Sequence, residues 1–173
     1  NAFKNILRKS PNSLLILVPR HLERFDTVKK IVRDSGLIMA SRSKKTEVVP
    51  RTQVLLGDTI GELNFLYSLS DIAFIGGSLI DHGGQNLLEP SAQHLPLLSG
   101  PSLRNFYDIS KQLIEKDGLE IIYNSDDLSD KFIQYMKNSA DLRRRGDAAF
   151  EVFMSNRGAL NIILDHLKEP LKS

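Results

Sequence analysis

The chain of 173 residues carries 23 Lys and Arg against 21 Asp and Glu, a net charge of +2 with its four histidines neutral, too even for a dedicated nucleic-acid or polybasic membrane module. At 41% hydrophobic and 25% charged residues it has the composition of one globular domain, expected to bury roughly 70% of its unfolded surface, which excludes disorder and collagen-like order. The lack of cysteine excludes disulfide frameworks, iron–sulfur and thiolate zinc sites, and a cysteine nucleophile.

Leu14-Leu15-Ile16-Leu17-Val18, set between Pro11-Asn12 and Pro19, reads as a strand buried on both faces whose end opens onto Pro19-Arg20-His21. Helical spacing follows through Leu22, Phe25, Val28, Ile31 and Val32 until Gly36. Leu37 to Met39 and Val48-Val49 are weak strand candidates, and Gln53 to Leu56 is a stronger one. Gly57-Asp58-Thr59 makes a loop, Glu62 to Leu69 a helix, and Ile72 to Ile75 the next strand, closed by Gly76-Gly77-Ser78. After a glycine-containing loop a helix is expected near Asn86, then a strand at Pro96-Leu97-Leu98, a helix from Phe106 to Lys116 and a last strand at Leu119 to Ile122. This alternation predicts an α/β fold, a Rossmann-like doubly wound parallel sheet.

From Ser125 onward the pattern is helical, so residues 126–173 are expected as a helical C-terminal extension. Its final stretch places Leu160, Ile163, Leu164 and Leu167 on one stripe. Packing on the sheet domain and crossing to another domain are both open for that stripe. The run Arg143-Arg144-Arg145 is expected to be a solvated face. No apolar run approaches the roughly 20 residues of a membrane-spanning helix, so the chain reads as soluble. It has no signal peptide and begins at Asn1, which suggests a piece of a longer protein.

In an open α/β sheet, ligands bind where strand ends lead into helix starts. Three such ends are polar or glycine-rich: Pro19-Arg20-His21, Gly57 to Glu62, and Gly76-Gly77-Ser78 with Asp81 to Pro90. Gly83-Gly84 before a helix would suit a phosphate through exposed amides, or would only form a tight turn. Arg20 is a charged fork for phosphate or carboxylate, or a surface ion pair. Glu89, three residues after Asn86, could accept from ribose hydroxyls. Glu62 and Asn86 could equally cap helices. Neither the P-loop nor the dinucleotide glycine pattern occurs, nor a serine elbow, and the histidines His21, His82, His94 and His166 lack metal-ligand spacing. No general base with an activating partner stands out, so the set looks like half of an active site.

At these residues the chain resembles a known family. Pro19-Arg20-His21 with Glu23-Arg24-Phe25, Gly57 to Leu63, Phe74 to Leu79, Gly83-Gly84-Gln85-Asn86-Leu87-Leu88-Glu89-Pro90, and Gly100-Pro101 with Asn105-Phe106 are similar, in order and spacing, to the C-terminal domain of 3-deoxy-D-manno-octulosonic acid (Kdo) transferases. Gln85 departs from the histidine common there. The resemblance implies the C-terminal half of a GT-B glycosyltransferase, inverting and metal-independent with no cofactor, that moves Kdo from CMP-Kdo to a lipid A precursor in lipopolysaccharide biosynthesis. It also implies a place at the cytoplasmic face of a Gram-negative inner membrane, with the acceptor and the catalytic base held by an N-terminal domain outside these residues. Carried over, the CMP contacts are Pro19 and Arg20; Ile60, Gly61 and Glu62; and Asn86, Leu87, Leu88 and Glu89, with Gly76, Gly77, Gly83 and Gly84 as a supporting loop. A UDP-sugar transferase or sugar-nucleotide epimerase of the same architecture, and a non-catalytic nucleotide-binding module, are the alternatives.

Overall fold

Short runs of leucine and β-branched residues form strands where glycine, proline or polar turns bracket them, and amphipathic runs between them form helices. The computed structural model describes residues 1–168, with side chains described as far as Arg157. Over that span β1 (Leu15–Leu17), β2 (Met39–Ser41) and β3 (Val54–Leu56) pair in parallel in the order β1-β3-β2. A second parallel set, β4 (Ala73–Ile75), β5 (Leu97–Ser99) and β6 (Leu119–Ile121), runs in sequence order. The parallel α/β architecture is therefore as expected, with the ladders falling into two groups of three. Register aligns Leu17, Leu56 and Ser41 in one group and Ile75, Ser99 and Ile121 in the other. Within each group all strands end level, so their following loops share an edge.

The helices are α1 (Ala2–Lys9), α2 (Phe25–Asp34), α3 (Leu63–Ser68), α4 (Leu88–Ser91), α5 (Tyr107–Glu115), α6 (Ser125–Met136) and α7 (Ser139–Lys168). The main core gathers Ala73, Ile75, Leu87, Leu97, Leu103, Leu113, Leu119, Ala149 and Val152. A smaller one under the first group holds Ala40, Leu55 and Leu66.

Several expectations shift. Val48-Val49 is not a strand; Val48 is exposed, and Val49 belongs to a turn in which its carbonyl accepts from the Thr52 amide. β1 is only half-buried, and Phe74 of β4 is exposed. Leu22 and Ile31 lie outside the core despite their helical spacing, each more than half exposed. α1, unmarked in the sequence, docks on α6 by burying Ile6 and through Asn5 to Asp126 and Lys9 to Asp130, both at 3.1 Å.

From Ser125 the described residues are helical, as α6 and α7, and α7 is seated closely. A Cβ on Gly146 would lie 2.0 Å from the His94 carbonyl oxygen, while the His94 ring stacks on Phe150 at 3.8 Å. The arginine run is not merely solvated. Arg144 pairs with Asp141 and Asp117, and Arg145 bonds Asp141 at 3.0 Å and lies over the Tyr135 ring. Tyr135, itself buried, donates to Glu120 of β6 at 2.7 Å, so charge and ring together pin α6 and α7 to the sheet. The stripe Leu160, Ile163, Leu164 and Leu167 lies outside the residues whose side chains are described.

Candidate functional site

The three polar strand ends follow β1, β3 and β4. At the first, Arg20 leaves β1 exposed to solvent and donates from Nη1 to the Gln85 side-chain oxygen at 2.6 Å. That bond joins the β1 end to the glycine loop after β4. The surface-ion-pair alternative for Arg20 is not realised, because its partner is a neutral amide.

The glycine loop is held from within. Gly77, Gly83 and Gly84 have φ of +70°, +77° and +73°, values only glycine adopts readily. A Cβ on Gly84 would lie 2.7 Å from the Leu103 side chain. The Gly83 amide donates to Ser102 Oγ at 3.0 Å and the Gly84 amide to the Gly77 carbonyl at 3.3 Å. The expected exposed amides at this glycine pair are therefore engaged, and the tight-turn alternative describes them. Among the described residues, the amides of Gln85, Asn86 and Leu87 have no protein acceptor, and of these residues Leu87 is fully buried.

The helix expected near Asn86 is a single turn, α4, four residues long and containing Pro90. So short an element carries little of a macrodipole, because few peptide dipoles align in it. Asn86 itself does two things. Its side-chain oxygen accepts from the Leu88 amide at 2.9 Å, from one residue before the N-cap position Leu87, and its side-chain nitrogen donates to Glu89 Oε1 at 3.0 Å. The expected shared face of Asn86 and Glu89 is thus a hydrogen bond. Tyr67 on α3, which packs against α4, has its phenol pKa raised from 10.0 to about 12 by burial and by the nearby Glu89 carboxylate.

The loop after β3 exposes Ile60 to 77% and turns at Gly61 with φ +81°. Glu62 does not cap α3 with its side chain. Its carboxylate instead takes both arms of Arg42, Nε at 3.2 Å and Nη2 at 2.5 Å, and also accepts from the Thr59 hydroxyl. Hydrogen bonds from Arg42 and Thr59 hold it below the usual carboxylate range, keeping it an acceptor.

Beneath this loop lies Asp58, its side chain fully buried and 2.9 Å from Lys29 Nζ. It accepts from Ser41 Oγ at 2.8 Å, the Ser43 amide at 2.9 Å and Ser43 Oγ at 2.6 Å. Burial pushes its pKa up, but these bonds, those from Ser43 first, outweigh it and hold the group well below its ordinary value. Asp58 thereby fixes the β2 and β3 ends relative to each other. Sequence inspection marked neither Arg42 nor Asp58 as a site residue; the only signal was polar sequence directly after two adjacent strands.

Two surface hollows lie elsewhere, between α5 and α7 at Gln112 and Val152 and between α1 and α6 at Arg8 and Ser129. Among the described residues no cluster of three or more His, Asp or Glu could hold a metal ion, and no helix is long and apolar enough to cross a membrane.

No protein-family model matches the chain. It is 43% identical over 168 residues to the 3-deoxy-D-manno-octulosonic acid transferase of Haemophilus influenzae, covering 96% of this chain and 39% of that protein. To the transferase of the same name from Bordetella pertussis it is 34% identical, covering 92% and 38%. The chain thus spans about two-fifths of the length of these curated relatives. Among solved structures, the C-terminal CMP-Kdo binding domain of WaaA from Acinetobacter baumannii superposes with a TM-score of 0.82 at 33% identity, over 87% of this chain and 79% of that one. The order of the strand-end motifs, the fold and this similarity over most of both chains agree, and the chain belongs to the 3-deoxy-D-manno-octulosonic acid transferase family, matching its C-terminal domain.

Proposed function

We propose that this chain, residues 1–173, is the donor-binding domain of a glycosyltransferase that moves Kdo from CMP-Kdo to a lipid A precursor. The observation that carries the proposal is that Arg20 and the Asn86–Glu89 pair, from separate strand ends, are drawn to one edge through Gln85. Arg20 and the amides of Gln85 and Asn86 face the CMP phosphate and offset the charge that grows as CMP leaves. Pro19 lines the same end, and Leu87 and Leu88 present the backbone behind Asn86. Glu89, aimed by Asn86, accepts from the ribose hydroxyls. Ile60 gives the cytosine an apolar contact, and the backbone of Ile60, Gly61 and Glu62 reads its edge.

The transfer is inverting and needs no metal, and CMP-Kdo is substrate, not cofactor. The acceptor and the base belong to the part of the relatives that this chain does not span, so these residues alone bind CMP weakly, with one wall of the cleft, and transfer nothing. The full-length enzyme works at the cytoplasmic face of the inner membrane.

Titration of the chain with CMP and with UMP, followed by amide NMR, tests this reading. CMP should shift Arg20, Ile60 to Glu62 and Asn86 to Glu89 at lower concentration than UMP. Equal response to UMP would favour a uridine-nucleotide enzyme, and sugar transfer by the chain alone would overturn the half-site reading.

A further inference from the structure

Arg42 is constrained on every side by contacts that have no evident use in holding the core. Its amide donates to the Leu56 carbonyl at 3.0 Å, extending the β2–β3 ladder by one bond. The residues either side of it, Ser41 and Ser43, are both bonded to buried Asp58. Its guanidinium forks onto Glu62 and stands 5.6 Å from the centre of the Phe65 ring. The pair is a third or so exposed, with side-chain accessibilities of 38% and 31%, and an ion pair so placed adds little to stability. What the arrangement does fix is direction. A planar fork accepts a carboxylate in one orientation, and Thr59 donates to Oε2, the same oxygen that takes Arg42 Nε. Ile60 and Gly61 lie between Thr59 and Glu62, so their backbone is clamped at both ends although Gly61 is free to turn.

We propose that Arg42 is a positioning residue for base selection, holding the Ile60–Glu62 loop through Glu62 in the geometry that accepts cytosine over uracil. The inference rests on the nucleotide reading above. Phosphate and ribose are common to CMP and UMP, so their partners, Arg20 and Glu89, cannot tell the two apart. Only the loop meets the base edge, where cytosine offers an amine donor and an unprotonated ring nitrogen, and uracil offers a carbonyl and an N–H. Backbone N–H and C=O groups held in one geometry beside that edge match one of these patterns and not the other, whereas the Glu62 carboxylate is itself occupied by Arg42 and Thr59. Loosening the loop therefore removes discrimination while leaving the shared contacts in place.

The test uses the 173-residue chain with Arg42→Gln, and with Phe65→Leu as a milder second variant at a half-exposed position. CMP and UMP affinities are measured by NMR titration, and melting is followed in parallel. Arg42→Gln should weaken CMP by about tenfold and UMP by less than about threefold, with Phe65→Leu shifting the ratio the same way by about two- to threefold. An unchanged CMP:UMP ratio in both variants, whether affinities hold or fall together, overturns the inference. A wild-type chain that binds neither nucleotide removes the donor-site reading itself, and this one with it.

Discussion

Arg20 and Gln85, 65 residues apart in the chain, hold each other at 2.6 Å across the ends of β1 and the loop after β4. The Gln85 amide oxygen is a neutral acceptor that aims the guanidinium. Arg20→Ala should weaken CMP by roughly 10- to 150-fold, the loss of a charge-assisted bond worth about 1.5–3 kcal/mol. Gln85→Ala removes only the aim and should cost about threefold. A normal CMP titration in Arg20→Ala with a lowered melting temperature would make Arg20 a structural residue.

Asn86 and Glu89 separate by the same reasoning. Glu89→Ala deletes the ribose acceptor and should weaken CMP by roughly 10- to 150-fold with little change in melting. Asn86→Ala removes the bond to the Leu88 amide as well as the tether on Glu89, so stability should fall by about 1 kcal/mol together with affinity. If Asn86→Ala lost stability but kept its CMP affinity, the tether would have no part in binding.

Tyr67 reports on Glu89 through pH. Burial and the carboxylate raise its pKa from 10.0 to about 12, so the folded state favours the neutral phenol. That stabilisation is complete below pH 10 and disappears as pH rises toward 12. In Glu89→Gln the phenol should titrate lower, still above 10 because burial remains. Ultraviolet titration, with Tyr67→Phe to identify the signal, would show it; an unmoved transition would separate Tyr67 from Glu89 electrostatically.

Asp58 sets the acid limit. Its pKa is depressed below 3.8, so its contribution is whole above that value and is lost as pH falls through the lower, folded-state one. Asp58→Asn leaves Lys29, only 16% exposed, with just the exposed Asp26 at 3.9 Å and should destabilise the domain by about 3 kcal/mol at pH 7. Denaturation at pH 7 and pH 3 should show the gap to wild type narrowing in acid. A constant gap would mean that hydrogen-bond geometry matters there and charge does not.

Gly146→Ala should run against helix propensity. On an exposed helix face the change is worth about 1 kcal/mol in favour of alanine. Here the new methyl would lie 2.0 Å from the His94 carbonyl, so α7 must move away from the turn after α4 and the melting temperature should fall. A rise would show that the helix seats more loosely than described.

Reading along the chain located most strands and helices, because apolar runs between glycine and proline have few local alternatives. It also placed three candidate strand ends and paired Asn86 with Glu89, since that spacing is short and helical. It missed α1, whose stability comes from α6, more than a hundred residues away. It placed the start of a helix near Asn86 without an extent, and the structure gives one turn, Leu88–Ser91, which contains Pro90.

Sequence alone determined the family and the parallel α/β order, which are carried by residue type and spacing within short segments. Tertiary structure decided which atoms are available. The amides of Gly83 and Gly84 are consumed by Ser102 and Gly77, Glu62 is turned from its helix toward Arg42, and Asp58 is buried against Lys29. Each outcome depends on a partner distant in sequence, and a hydrogen-bonding group's freedom is set by what competes for it in space, which periodicity along the chain does not encode.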